Sequence, residues 1–246
     1  MFSRAKARWV PFFRRSGAEL SCLRELLPRP SPDLSAAAVR RWKAWEGNPC
    51  PLCGGCSAVS SDLPIPCAAC AANPPPFDAA RSLFLHAGVV RAAILSAKYA
   101  ARPFPAGPVA DRLRDAFRGP WRDLFPDGAA PTVVPVPVRP MKYLRRGCNL
   151  PALVGARLAS GSGWPFDPLL LRRDCERAPQ AGLPAGHRRE NVEGAFRVPR
   201  DRRVPARVLL LDDVYTTGAT AEACSIALKR TGGGIIVVVT VARAVP

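Results

Sequence analysis

From residue 77 onward, short unbroken apolar runs alternate with longer stretches of helical spacing. That rhythm predicts an α/β fold built on a parallel sheet with flanking helices. The sharpest run is V-L-L-L at residues 208–211, with no polar position inside it, as expected of a parallel strand covered on both faces. T-V-V-P-V at 132–136 predicts a second buried strand, and the run at 234–241 a third. Weaker strand signals lie at 81–86, 169–171 and 195–198. Helical spacing predicts helices over 89–99, 109–118, 149–160 and 219–230. One more is predicted over 34–46, with Trp42 and Trp45 on a shared face packed on the body of the protein.

Polar residues enter at the carboxyl end of the 208–211 run: Asp212 and Asp213 first, then, after Val214 and Tyr215, the series Thr216, Thr217, Gly218, Ala219, Thr220. Open α/β sheets bind ligands at strand carboxyl ends. Successive side chains on a strand point to opposite faces, so two adjacent carboxylates cannot both be inert core residues. A hydroxyl-rich turn that feeds a helix offers free N–H groups and a positive dipole end, which suits a phosphate. Carboxylates for sugar hydroxyls or a magnesium ion therefore stand beside donors for a phosphate. The plainer alternative, a strand and a polar loop with no ligand, needs the whole order to be accidental.

Two further stretches bear on that site. Arg139, Lys142, Arg145 and Arg146 follow the 132–136 strand with no acidic partner among them, a density of charge that suits pyrophosphate or, equally, a solvated basic turn. Residues 172–191 are long, polar and broken by Pro179, Gly182, Pro184 and Gly186, the make-up of a mobile lid over a cleft.

The chain has 246 residues, enough for one α/β core and a small satellite module. Its 36 Lys and Arg against 19 Asp and Glu give a formal net charge of +17, a field that attracts polyanions. Nucleic acid becomes a candidate partner on that ground, though charge alone does not establish it. The longest apolar run, 235–242, is too short to span a bilayer, and the basic N-terminus lacks the apolar core of a secretory signal. No membrane insertion and a cytoplasmic location are expected. There, nine cysteines favour metal binding or catalysis over disulfides. Cys50 and Cys53 form one C-x-x-C pair, Cys67 and Cys70 another, with residues 54–66 between them. Two such knuckles predict a tetrahedral thiolate zinc site of structural type, since four thiolates leave no open coordination position. Cys56 forms a second C-x-x-C with Cys53 and competes for one ligand position. A redox dithiol is the other reading, but such motifs come singly and beside a helix. Pro74, Pro75 and Pro76 then read as a stiff linker.

The string D-D-V-Y-T-T-G-A-T at 212–220 resembles the 5-phosphoribosyl-1-pyrophosphate (PRPP) signature of type I phosphoribosyltransferases. Further blocks are C-P-L-C-G at 50–54, A-K-Y at 97–99, V-P-V-P at 134–137 and R-R-G-C-N at 145–149. Another comprises Gln180, Leu183, Arg188, Asn191, Gly194, Ala195 and Phe196. Together they resemble the ComF family over about residues 48–242. One departure is that Cys148 and Leu150 flank Asn149, where the family usually has an aromatic residue and a glutamine.

The resemblance implies a type I phosphoribosyltransferase-like parallel sheet in 77–246 and a small N-terminal zinc-finger module of four cysteines, with its linker, in 47–76. Residues 1–46 would be an N-terminal extension, partly helical or disordered. It also implies that Asp212 and Asp213 hold the ribose hydroxyls of PRPP and magnesium-bound water. Thr216, Thr217, Gly218, Ala219 and Thr220 would wrap the 5′-phosphate, and Arg139, Lys142, Arg145 and Arg146 would meet the pyrophosphate. Arg188, on the lid, would close over it and join the two carboxylates as a catalytic residue. The expected function is that of a PRPP-binding phosphoribosyltransferase-family protein in DNA uptake during transformation or in nucleotide-linked metabolism. Three activities stay open: pentosyl transfer, binding of single-stranded DNA alongside competence-machinery proteins, and PRPP sensing without chemistry.

Overall fold

The computed structural model of the chain describes residues 34–45, 49–55, 65–99, 102–125, 127–173 and 194–245. Its centre is the strand predicted from V-L-L-L, which extends further than the apolar run. β5, Arg207–Tyr215, carries its ladder through the two aspartates, and Asp212 pairs with Thr240 of β6, Ile235–Arg243. On its other edge β5 pairs in parallel with β2, Thr132–Pro135, and β6 pairs in parallel with β1, Ala79–Leu85. The order β1-β6-β5-β2 puts β5 and β6 in the interior. All four side chains of 208–211 are fully buried there, as a strand covered on both faces requires.

The two faces are covered by different helices. Leu209, Leu211, Val237 and Val239 point into a core shared with α3 (Gly88–Tyr99), α4 (Ala106–Arg118) and α6 (Leu150–Ser162). Val208, Leu210, Ile236 and Val238 point the other way, onto α7 (Ala219–Arg230) and onto Leu170, Leu171 and Phe196. Strand alternation thus divides one apolar run between two cores. A two-stranded antiparallel ribbon, β3 (Arg172–Arg173) with β4 (Phe196–Arg197), lies on the α7 side. The strand expected at 169–171 is therefore displaced: Leu170 and Leu171 are core residues, and pairing starts at Arg172.

Three segments depart from the sequence pattern. The predicted 34–46 helix shortens to α1, Ala36–Arg40, capped by the Ser35 hydroxyl. Beyond it Trp42 turns inward against Phe84, rings edge to face at 5.2 Å, and Ala44 bridges to Phe84 of β1. Burying Trp42 there outweighs continuing a helix whose next residues are Arg, Lys and Trp. Trp45 takes a separate role, so the two tryptophans do not share a helical face. The second C-x-x-C itself opens a short helix, α2 (Ala68–Ala72), with Cys67 at its N-cap and Cys70 inside it. The expected basic turn is a helix as well: α5, Pro140–Arg146, with proline at its first turn and Gly147 closing it at φ +73°. A proline at that place is preorganised to start a helix.

Candidate functional site

Two centres form in the described residues, one at the carboxyl end of β5 and one at the cysteine knuckles. At the first, Asp212 and Asp213 leave the strand towards opposite faces. Asp213 faces α3, where its Oδ1 accepts from Lys98 Nζ at 2.7 Å, with both side chains only about 15% exposed (15% and 16%). From sequence Lys98, in the A-K-Y block, is either a residue that touches a ligand or, more commonly, a surface lysine; the pairing with Asp213 arises only because α3 packs across β5. Asp212 faces α7 and the β3–β4 ribbon, and its Oδ1 accepts the Asp213 backbone N–H at 2.8 Å. Burial pushes the Asp212 carboxyl up to about 7, and the Asp213 charge adds to that. The Asp213 N–H, Lys98 and Arg173 pull the other way.

The loop after β5 makes a left-handed step at Gly218, φ +84°, and α7 starts at the next residue. A Cβ on Gly218 would stand 2.5 Å from the Tyr215 hydroxyl, so only glycine lets the loop lie on that ring. Thr217 Oγ1 accepts the Ala219 N–H at 3.4 Å. Thr216 and Thr217 are exposed, Thr220 is half-buried, and Gly218 and Ala219 are buried. A cleft at this point is lined by Asp212, Thr216, Gly218, Thr220 and Thr240, together with Val214, Tyr215 and Ala221. Six positions of the sequence-based assignment, Asp212, Thr216, Thr217, Gly218, Ala219 and Thr220, thus meet on one strand-end turn. Asp213 sits across the sheet from them.

Arg139, Lys142, Arg145 and Arg146 lie at the start of α5 or on it. Arg139 stands at the start of α5 and is half-buried; Lys142 is exposed on that helix, as are Met141, Tyr143 and Leu144. Arg145 and Arg146 belong to α5, and their side chains lie outside the described residues. So does Arg188, with Gln180, Leu183 and Asn191. The root of α5 is fixed from both sides. Val136 N–H donates to the Leu211 carbonyl at 2.8 Å, and Asn149 Nδ2 donates to the Val136 carbonyl at 3.1 Å. Leu150, at the position where the ComF pattern departs, is buried in the helical core. A polar contact from that position is ruled out.

Sequence reading missed Arg173. Its guanidinium lies over the Phe196 ring, 5.0 Å from the centroid. Burial lowers its pKa, as does the charge of Arg139, while Asp212 counters both. Two arginines held within electrostatic reach of each other and of a carboxylate offer a second approach for an anionic ligand. Nothing in the sequence distinguishes Arg173 from the exposed Arg172 beside it, because only the ribbon pairing turns it inward.

At the second centre Cys50, Cys53, Cys67 and Cys70 converge, every sulfur within 4.8 Å of every other. Cys53 and Cys67 sulfurs are 3.8 Å apart and unbridged. Zinc–sulfur bonds of about 2.3 Å in a tetrahedron place the sulfurs about 3.8 Å apart, so the four fit such an ion. Backbone amides already face the sulfurs: Cys67 N–H points at Cys50 Sγ at 3.3 Å and Gly55 N–H at Cys53 Sγ at 3.4 Å. Burial raises the Cys50 thiol, but the amides of Cys67, Cys53 and Leu52 outweigh it and bring it down to about 7. Burial and the neighbouring sulfurs push Cys70 up. Four sulfurs so close ionise together only with a cation among them. The cluster can hold a structural metal such as zinc. Cys56, the competing ligand, lies outside the described residues.

Fold and sites together define an α/β protein with a parallel sheet, helices on both faces, and a four-cysteine module at its N-terminal side. The chain is similar to competence protein F of Haemophilus influenzae and to DNA utilization protein YhgH of enteric bacteria. It is 34% identical to the former over 114 residues, covering 46% of this chain and 50% of that protein. It is 28% identical to YhgH of Salmonella typhimurium over 191 residues, 75% of this chain and 81% of that protein. For YhgH of Escherichia coli K12 the figures are 27% over 189 residues, 75% and 81%. No family model matches the chain. Superposition on adenine phosphoribosyltransferase from Leishmania tarentolae covers 88% of this chain and 90% of that one, at 14% identity. The TM-score is 0.36, too low for that likeness to bear on function. Among the described residues no helix is long and apolar enough to cross a membrane.

Proposed function

We propose that this protein binds PRPP or a closely related sugar phosphate with magnesium, in a ComF-like role in the handling of DNA taken up from outside. The observation that carries the reading is the strand-end turn, where Asp212 and the Gly218 step meet the N-terminus of α7. The names of the relatives, competence protein F and DNA utilization protein, support the setting.

In this reading Asp212 and Asp213 reach the ribose hydroxyls over the carboxyl edge of the sheet, one from each face, and Lys98 holds Asp213 from the α3 side. The N–H groups and hydroxyls of residues 216–220 take the 5′-phosphate. Arg139, Lys142, Arg145 and Arg146 face the pyrophosphate, with Arg173 as an added cation and Arg188 as the closing one. Asp212 and Asp213 are the carboxylates that would hold magnesium, and the ion would supply neutralising charge on the pyrophosphate. Transfer, where it occurs, breaks the bond from ribose C1 to pyrophosphate and forms one from C1 to a nucleophile, with positive charge developing on the sugar. Calorimetry with PRPP and magnesium on the wild type and on the Asp212→Asn/Asp213→Asn double variant tests the binding. Measurable affinity in the first and its loss in the second are expected; equal affinity in both sinks the assignment. Pyrophosphate release, screened against bases, amines and nucleotides, tests transfer.

A second reading, binding of single-stranded DNA, is favoured by one feature of α5. Tyr143, Met141 and Leu144 are exposed on it beside Lys142, an aromatic and apolar surface next to positive charge. It predicts affinity for a short oligonucleotide that falls steeply with salt and weakens on Tyr143→Ala.

A further inference from the structure

Arg243 ends β6 and is 6% exposed, one of the few buried charged side chains among the described residues. Burying a guanidinium is costly unless its surroundings replace water. Here they come from both centres at once. Its Nη2 donates to the Cys53 carbonyl, inside the first cysteine knuckle. Its guanidinium carbon lies 4.0 Å from the centroid of the Tyr215 ring and 5.7 Å from that of Trp45. Tyr215 is the residue on which the Gly218 step rests, and burial keeps its hydroxyl protonated by pushing it up to about 12. Trp45 closes the circuit, donating through Nε1 to the Gly54 carbonyl at 2.9 Å.

The knuckle is itself seated on the sheet. Gly54, at φ +67°, passes so close to β1 that a Cβ would stand 2.2 Å from the Ala80 carbonyl oxygen. The Ala80 N–H donates to the Leu52 carbonyl at 2.6 Å, and Arg81 Nη1 to the Pro51 carbonyl at 3.0 Å. Arg81 is within electrostatic reach of Cys50, Cys53 and Arg243. A divalent ion on four thiolates carries two excess negative charges, and Arg81 with Arg243 supplies the matching pair. Removing the ion leaves two neighbouring guanidinium groups without the charge that holds them together.

We propose that Arg243 is a positioning residue that couples the two centres: metal in the cysteine module fixes Arg243, which holds Tyr215 against Gly218 and so sets the shape of the 216–220 turn. This rests on the reading of that turn as the phosphate seat, but the coupling itself is a property of the chain. The path is short and made of contacts between rigid groups: carbonyl, guanidinium, ring, backbone. Cation–π contact with a desolvated ring and a charge-assisted hydrogen bond are each strong enough to matter to a loop.

Hydrogen–deuterium exchange on the full chain, zinc-loaded and after chelation, tests it without any ligand. Exchange at residues 216–220 is expected to rise about tenfold on metal removal. With zinc retained, Arg243→Met should reproduce most of that rise, and Arg243→Lys, which keeps charge but loses the planar fork, part of it. Zinc content and protection of α6 are measured alongside to show that each variant is folded and loaded. Unchanged exchange at 216–220 on chelation, while the cysteine knuckle itself loosens, overturns the proposal. So does a loaded, folded Arg243→Met that exchanges like the wild type. PRPP calorimetry on the same samples separates the two ideas: no binding by any form counts against the phosphate seat, while the exchange result still decides the coupling.

Discussion

Replacing Asp212 with asparagine should stabilise the fold above neutral pH while weakening sugar-phosphate binding. The carboxyl stands beside Asp213 on a buried strand, and burial with the neighbouring charge raises its pKa from 3.8 to about 7. A raised folded-state value means that the native protein binds more protons than the unfolded chain between those two pH values. The contribution of Asp212 to stability is therefore greatest below about 4, falls as pH rises through 7, and carries the whole penalty above that. At about 1.4 kcal/mol per pH unit, the full difference corresponds to about 4 kcal/mol. Asp212 keeps some solvent contact, so solvent screening leaves roughly half, ~2 kcal/mol. Asparagine has nearly the same shape and no charge to bury. Urea unfolding of zinc-loaded wild type and Asp212→Asn should agree at about pH 4 and differ by ~2 kcal/mol at about pH 8, the variant being more stable. A variant less stable at pH 8, or a difference that does not change with pH, refutes the reasoning.

Lys98→Met leaves Asp213 without its partner and should cost ~2 kcal/mol, lowering Tm by about 4–8 °C. Adding Asp213→Asn should restore most of that in the same thermal scan, and no restoration counts against the pairing. Gly218→Ala forces a Cβ towards the Tyr215 hydroxyl from a positive φ and should cost at least ~1 kcal/mol, with weaker PRPP binding by calorimetry. Elemental analysis should find one zinc per chain in the wild type and in Cys56→Ser, but not in Cys70→Ser. Zinc lost from Cys56→Ser instead would mean that the ligand set is different.

Much of the fold and part of the site were legible in the order of residues. An apolar run without alternation is a local property, and 208–211 became the doubly covered strand it predicts. Spacing of two within C-x-x-C is also local, since one tight turn aims both sulfurs of a knuckle; bringing Cys50 and Cys53 to Cys67 and Cys70 is the work of the fold. Glycine at 218 followed by a helix was readable because only a backbone without Cβ turns there. Helix ends were less legible where a tertiary contact outbid the local pattern, as when Trp42 left α1 for Phe84.

What required the folded molecule was every relation between distant segments. Lys98 is marked in the sequence by its A-K-Y block, but its partner is not, and only the packing of α3 across β5 brings it to Asp213. Arg173 reads as one arginine among 31 until the ribbon lays it over Phe196 beside Asp212. Arg243 is separated from Cys53 by 190 positions, yet it touches the cysteine knuckle and Tyr215 together. The physical reason is that sequence records backbone propensities and the donor sets of short turns, which act over a few residues. Charge pairing and ring contact depend on which surfaces meet when the sheet is covered. The order of residues determined the strand, the turn and the two thiolate knuckles; the tertiary structure decided which cations serve them and linked one centre to the other.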